Sequence, residues 1–182
     1  MFSSPFSKLT KNQEKKLTRT LLFVTVICIA VLKYLDQFLI NDTCTGGIVS
    51  FELSKDLETA GSYLNSWGEQ GKIAVSLGLG FDFLFPIAYT ALIGLLIHKL
   101  NEKLWSKSSF LSIGNGLIWL VFLAGIFDYI ENIGLINLVL GNMEQHWVSI
   151  AFYFATIKFI IILIGILHII VNFILFLIKK RT

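Results

Sequence analysis

Four stretches of this chain are apolar over the length that an α-helix needs to cross a lipid bilayer. They cover about residues 19–40, 73–97, 110–130 and 148–177. A span needs about 20 apolar residues, because a helix rises about 1.5 Å per residue and the hydrocarbon layer is about 30 Å thick. Only 15% of the residues are charged, against about 25% in an average soluble protein. The sequence therefore predicts an all-α polytopic membrane protein, a four-transmembrane-helix bundle that forms one domain over residues 1–182.

The positive charges outside these stretches and at their ends are distributed unevenly. Eleven lie in the N-terminal leader, in the loop between the second and third stretches and in the C-terminal tail, whereas only Lys55 and Lys72 lie in the other two loops. Lys and Arg are enriched on the cytoplasmic side of membrane proteins. We therefore predict cytoplasmic N and C termini in a bacterial inner (plasma) membrane, with loops 41–72 and 133–147 facing outward. The net charge of +3 follows from these anchors, so no nucleic-acid partner is predicted.

The first outer loop is the only long one, and it carries a helical pattern. Apolar residues in this loop recur at steps of four and three, at Leu53, Leu57, Ala60, Leu64 and Trp67. This spacing forms one apolar stripe on a helix, and Ser54 is suited to be its N-cap. We predict a short amphipathic helix that is either a packing element or a mobile lid. The lid candidates are Glu52, Leu57, Leu64 and Trp67.

Charged side chains interrupt all four apolar stretches. They are Lys33, Asp36, Asp82, Asp128, Glu131 and Lys158. A charge at mid-membrane costs about 3 kcal/mol or more, so each needs a partner or a function. A rise of about 1.5 Å per residue from the outer ends puts all six in the outer half, with Asp82 and Lys158 deepest and paired. Lys33 and Asp36 are spaced to pair along their own helix. The inner half of the bundle is predicted to be mostly apolar.

The positions of these residues around their helices predict a shared pocket. Pro86 lacks an N–H group, so the second helix is predicted to kink beside Asp82. Broken helices next to buried charges often line a cavity. We therefore predict an outward-opening polar pocket, with interhelical pairs that only fix the helix register as the alternative. The candidate pocket residues are Asp82, Asp128, Glu131, Asn132, Lys158, Tyr89, Lys33 and Asp36.

The histidines and cysteines show no pattern of a metal or redox site. His98, His146 and His168 lie at different predicted depths, and Cys28 and Cys44 form no C-x-x-C motif. We predict no metal and no cofactor.

Several short motifs resemble a set of uncharacterised bacterial four-helix membrane proteins. The motifs are F-E-L and a tryptophan in the first outer loop, D-x-x-F-P-x-x-Y, D-x-x-E-N, and a lysine in the last helix. They fall at Phe51, Glu52, Leu53, Trp67, Asp82, Phe85, Tyr89, Asp128, Glu131, Asn132 and Lys158. The resemblance implies a four-helix membrane protein and brings no established activity with it.

Three functions are compatible with these features. The first is binding of a lipophilic or amphiphilic ligand in the pocket, extended to its modification if a carboxylate acts as general acid or base. The second is a proton- or cation-coupled small transporter. The third is a structural or assembly subunit of a membrane complex. The predicted partners are the lipid bilayer, a lipophilic small molecule, and either a second copy of the chain or another membrane protein. Whether the protein is an enzyme is left open.

Overall fold

The computed structural model describes residues 3–181, and all of the regular secondary structure in that range is helical. The helices are α1 (Lys11–Asp36), α2 (Ile48–Glu52), α3 (Leu57–Ser66), α4 (Gly68–Asp82), α5 (Phe85–Trp105), α6 (Phe110–Val139) and α7 (Gln145–Arg181). The prediction of an all-α protein is confirmed.

Three helices, α1, α6 and α7, are long and apolar enough to cross a membrane. The bent pair of α4 and α5 makes a fourth candidate if it counts as one span. The most apolar windows of α1 and α7 are only 11% buried, so their surfaces need an apolar solvent. The prediction of a helical membrane protein is therefore confirmed, with three or four candidate spans.

The ends of the observed helices differ from the ends of the apolar stretches that predicted them. α1 begins at Lys11 because Thr10 and Gln13 form a capping box at its N-terminus. α1 ends at Asp36 rather than near residue 40, and the Asn41 side chain then accepts backbone hydrogen bonds within the following turn. α6 continues to Val139, so most of the first half of the predicted 133–147 loop is helical.

The kink predicted from Pro86 is present as a break between α4 and α5. The two helices are bent by 45°, and Pro86 lies in the first turn of α5, where its missing N–H group is tolerated. Tyr129 on α6 donates a 3.1 Å hydrogen bond to the Phe83 carbonyl within the break. The rings of Phe83 and Tyr129 also stack, with centroids 5.6 Å apart. The break is therefore supported by a neighbouring helix.

The first outer loop differs from the prediction of one helix capped by Ser54. It forms two short helices, α2 and α3, and Asp56 is the N-cap of α3 because its side chain accepts from the Thr59 N–H at 2.7 Å. The Ser54 hydroxyl is buried and donates to the Phe51 carbonyl at 2.7 Å instead. Asp56 therefore takes the capping role that was predicted for Ser54.

The long helices pack as a bundle around α5 and α6. α6 packs against α7 and α5, whereas α1 packs against α5 and α4. α6 and α7 approach closely at Gly134, where an added Cβ would lie 3.0 Å from the Trp147 carbonyl oxygen. We call the end of the bundle that carries α2 and α3 the loop end. The opposite end, which carries the start of α1 and the end of α7, is called the terminal end.

Candidate functional site

A buried lysine joins α7 to two carboxylates of α6. Lys158 Nζ lies 2.7 Å from Asp128 Oδ1 and 2.7 Å from Glu131 Oε2. Relative exposures are 4% for Lys158, 3% for Asp128 and 0% for Glu131. The two acids are three residues apart on α6 and so share one face of that helix. Buried charges persist only when they are paired, and this cluster meets that condition with an excess of negative charge.

One hydrogen bond extends this cluster to α5, and a separate hydrogen bond beside it joins α6 to α4. The Tyr89 hydroxyl donates to Asp128 Oδ2 at 2.9 Å, and the Asn132 amide donates to Asp82 Oδ2 at 2.9 Å. The predicted pair between Asp82 and Lys158 is wrong, because Lys158 binds the two acids of α6 and Asp82 binds Asn132. The depth estimate treated the second span as straight, whereas the helix is broken immediately after Asp82. Polar side chains of α6 therefore bond to three other helices, α4, α5 and α7.

Helix α2 is held over the bundle by the acid that ends α1. Asp36 Oδ1 accepts the Ile48 backbone N–H at 2.8 Å, and Asp36 Oδ2 accepts from Lys33 at 3.1 Å. The predicted pairing of Lys33 with Asp36 is therefore present. Gly47, the residue before α2, has a φ of 58°, and an added Cβ would overlap the Asp36 carboxylate. The left-handed backbone and the close approach both require glycine here.

Glu52, the last residue of α2, carries a carboxylate toward the interior. It is 7% exposed, and its Oε2 is buried without a hydrogen-bond partner in the described structure. Burial raises the pKa of the Glu52 carboxyl to about 7, and the nearby charge of Lys158 only partly offsets this. The neighbouring carboxylates Asp128, Asp82 and Asp36 raise this pKa further. The Glu52 carboxyl therefore holds its proton more tightly than an exposed glutamate does.

These groups surround a cavity of about 490 Å³ whose walls are otherwise mostly aliphatic and aromatic. The cavity lies between α1 and α7, with α4 and α5 behind it and α2 at the loop end. Apolar residues on both flanking helices line it, including Ile29 on α1 and Ile166 on α7, which are 46% and 41% exposed. The exposed fractions of these two residues place an apolar rim between α1 and α7 on the side of the bundle. The size and apolar lining are typical of a small-molecule site.

The cavity brings most of the candidate residues together. Its walls include Lys33, Asp36, Glu52, Asp82, Tyr89, Asp128 and Lys158. Two further candidates, Glu131 and Asn132, lie behind these walls and are 0% exposed. They reach the cavity through Lys158 and Asp82, the residues that they contact.

Three of the four lid candidates lie away from the cavity. Leu57, Leu64 and Trp67 pack in the apolar core at the loop end, and the Trp67 indole donates to the Leu39 carbonyl at 2.8 Å. Glu52 is the lid candidate that lines the cavity. The wall at the loop end is thus formed by α2, which the sequence pattern did not separate from α3.

Thr25 lines the deep end of the cavity and was not among the sequence candidates. Its hydroxyl oxygen is buried without a hydrogen-bond partner in the described structure, and the residue is 8% exposed. A threonine inside an apolar helix usually bonds to its own backbone, so the sequence carries no signal for this position.

A second polar network lies at the terminal end, and it corrects the prediction that this half is mostly apolar. His98 Nε2 lies 3.9 Å from Glu14 Oε1, and His168 Nε2 lies 3.0 Å from Asn101 Oδ1. All four belong to long helices, and Glu14, His98 and Asn101 are buried. Glu14 precedes the first apolar stretch, within the N-terminal leader. Polar residues just outside an apolar stretch become interior when the helix extends.

No group of three or more His, Cys, Asp or Glu side chains among the described residues is arranged to hold a metal ion. Cys28 and Cys44 are both buried and free.

Comparison of the chain with protein-family models, with curated proteins and with solved structures finds no match.

Proposed function

We propose that this protein binds a lipophilic or amphiphilic molecule in the cavity between α1 and α7. The observation that carries this proposal is the combination of apolar walls with a charged cluster in one cavity of about 490 Å³. An apolar chain would lie along Ile29, Ile162 and Ile166, where it is shielded from polar groups. A polar head would lie against Asp82, Asp128 and Lys158. A cavity with one apolar and one charged region suits a molecule that has an apolar part and a polar part.

The rim between α1 and α7 favours access from the bilayer. Ile29 and Ile166 are partly exposed on helices whose apolar windows are mostly unburied, so lipid chains would meet the rim directly. A ligand dissolved in the membrane could then move sideways into the cavity without crossing water. The bilayer would then be both the solvent of the protein and the source of its ligand.

We propose four spans, with α4 and α5 crossing the membrane as one broken helix. The break holds only two residues, 83 and 84, and each side of it is apolar. Both termini would be cytoplasmic in a bacterial inner membrane, since eleven Lys and Arg residues lie on that side against two on the other. The cavity would then lie in the outer half of the bundle, below α2. Periplasmic accessibility of a cysteine placed at the exposed Asn65 would test this orientation.

Two glycines of α4 provide a matched test of ligand binding. Gly78 lines the cavity and meets only Leu35, at 4.0 Å from an added Cβ, whereas Gly80 has nothing within 4 Å and is exposed. Gly78→Phe should fill the cavity, and Gly80→Phe should place the same ring outside it. Native mass spectrometry of the protein released from lipid nanodiscs should show a bound amphiphile with wild type and Gly80→Phe but not with Gly78→Phe. Equal occupancy in all three would contradict the proposal.

The terminal-end network supports a proton- or cation-coupled transporter as a second candidate. Polar groups lie at both ends of the bundle, and the apolar residues Ile93, Ile97 and Val121 pack between them. A transporter needs two such sites and a barrier that opens in turn. Proton flux into liposomes that falls in both Asp82→Asn and His98→Gln would favour transport. Flux equal to that of empty liposomes would leave ligand binding as the function.

A further inference from the structure

The charges that line the cavity do not cancel. Lys33 is paired with Asp36 at 3.1 Å, and Lys158 is paired with Asp128 at 2.7 Å. Lys158 Nζ also lies 2.7 Å from Glu131 Oε2, so two carboxylates face the single positive charge of Lys158. Both lysines in the cavity wall are therefore already committed to carboxylates. The remaining ionisable groups in that wall are acids.

Two of these acids, Glu52 and Asp82, face the cavity without a basic partner within 4.0 Å among the described residues. Asp82 receives one hydrogen bond, from the neutral Asn132 amide at 2.9 Å. Glu52 Oε2 receives none, although the residue is 93% shielded from solvent and lines the cavity. A carboxylate can accept about four hydrogen bonds, so both have spare acceptor capacity. A buried carboxylate in a cavity wall with unused acceptor capacity is the complement of a donor that the described residues do not supply.

We propose that the cavity selects amphiphiles whose head is a protonated amine, which Glu52 and Asp82 bind together. This inference rests on the proposed function, because it names the class of ligand for the same cavity. An ammonium group supplies both the missing positive charge and three N–H donors. The two acids lie on α2 and α4, so the head would join these helices while the chain extends toward Thr25. Asp36 and Thr25 are eleven residues apart on α1, so the lined length is about 16 Å.

Other head groups fit the cavity less well. An anionic head would meet up to four carboxylates in the cavity wall, and the lysines that could attract it are already paired. A neutral alcohol can donate only one hydrogen bond and leaves the negative charge uncompensated. A quaternary ammonium brings the charge but no N–H group. The order of binding expected from these differences is amine first, quaternary ammonium next, alcohol third and carboxylate last.

Amphiphiles with the same twelve-carbon chain provide the test. Dodecylamine, dodecyltrimethylammonium, dodecanol and dodecanoate would be titrated at pH 8 into full-length protein in nanodiscs, with occupancy read by native mass spectrometry. At this pH an alkyl amine is still protonated, and Glu52, whose pKa is raised to about 7 by burial, is ionised. Binding to the Gly78→Phe variant in the same nanodiscs measures uptake by lipid alone and is subtracted.

We expect dodecylamine to bind wild type about tenfold more tightly than dodecanol, as one charge-assisted hydrogen-bonded pair predicts. Glu52→Gln and Asp82→Asn, which keep the side-chain shapes, should each reduce this ratio to near one. Glu58→Gln, at an exposed position on α3, should leave it unchanged. Because the ratio is measured within one variant, a loss of folded protein does not alter it.

Two different results would overturn the account at two different levels. The amine class is wrong if the alcohol or the carboxylate binds as tightly as the amine, or if Glu52→Gln and Asp82→Asn keep the wild-type ratio of amine to alcohol affinity. The cavity would then still be a binding site, for a different class of ligand. If no twelve-carbon compound binds wild type better than it binds Gly78→Phe, the cavity itself is not a binding site. In that case the proposed function fails together with the inference.

Discussion

Lys158 on α7 donates a 2.7 Å hydrogen bond to Asp128 on α6, and both side chains are almost completely shielded from solvent. Removing two charges from water is costly, and their attraction compensates only when they remain together. Tyr89 occupies the other oxygen of Asp128 at 2.9 Å, so the acid is held from two sides. The pair thus fixes α7 against α6 and presents one charged wall to the cavity.

Loss of the Lys158 ammonium should destabilise the protein strongly. Lys158→Met leaves Asp128 and Glu131 buried without their cation, and we expect a loss of about 3–5 kcal/mol in unfolding free energy. Lys72→Met, at an exposed position of α4, is the matched control and should lose less than about 0.5 kcal/mol. Denaturant unfolding in detergent measures both. Equal stability of the two variants would show that the cluster is not an ion pair in the membrane.

The attachment of α2 to Asp36 should depend on Gly47. Gly47 and Gly68 both have positive φ angles, of 58° and 61°, but only at Gly47 would a Cβ meet another side chain. Alanine at Gly68 should therefore cost only the left-handed backbone strain of about 1–2 kcal/mol. Gly47→Ala should cost more, and amide hydrogen exchange should become faster at Ile48, whose N–H bonds to Asp36. Similar exchange in the two variants would argue against this anchor.

The break between α4 and α5 should be loosened by removing one hydroxyl. Tyr129→Phe deletes the 3.1 Å hydrogen bond to the Phe83 carbonyl and keeps the stacked ring. We expect a loss of about 1 kcal/mol and faster hydrogen exchange at Leu84. Tyr153→Phe removes a hydroxyl from a tyrosine that is 63% exposed and should change neither quantity. Unchanged exchange in Tyr129→Phe would mean that the break does not need this support.

Stability should fall as the pH rises through the range in which Glu52 loses its proton. Burial raises the pKa of Glu52 from 4.5 to about 7, so the folded state holds its proton more tightly than the unfolded state. The destabilisation caused by ionised Glu52 is absent below pH 4.5 and grows as the pH rises to 7. Above pH 7 it is complete and amounts to a few kcal/mol, since each unit of pKa shift corresponds to about 1.4 kcal/mol. Asp36, Asp82, Asp128 and Lys158 also act on this group.

The contribution of Glu52 is isolated by difference. Melting temperatures of wild type and Glu52→Gln would be compared from pH 4.5 to pH 8, because the other groups titrate in both proteins. The melting temperature of Glu52→Gln should rise relative to that of wild type as the pH increases. A difference in melting temperature that does not change with pH would show that Glu52 keeps one protonation state in this range.

The sequence predicts the membrane location and one polar face well, because both depend on local spacing. The apolar stretches predict α1, α6 and α7, and the D-x-x-E-N spacing puts Asp128 and Glu131 on the face that Lys158 meets. The partner of Asp82 could not be predicted, because it depends on how the break bends α4. Glu14 likewise gave no signal, since its burial depends on packing of α1 beyond the apolar stretch.

A crystal structure grown from a lipidic mesophase with dodecylamine would show whether an amphiphile occupies the cavity between α1 and α7. We expect elongated density inside the cavity, with its head within hydrogen-bonding distance of Glu52 and Asp82 and its chain running toward Thr25. A cavity that holds only ordered water, with alkyl density confined to the outer faces of α1 and α7, would contradict it.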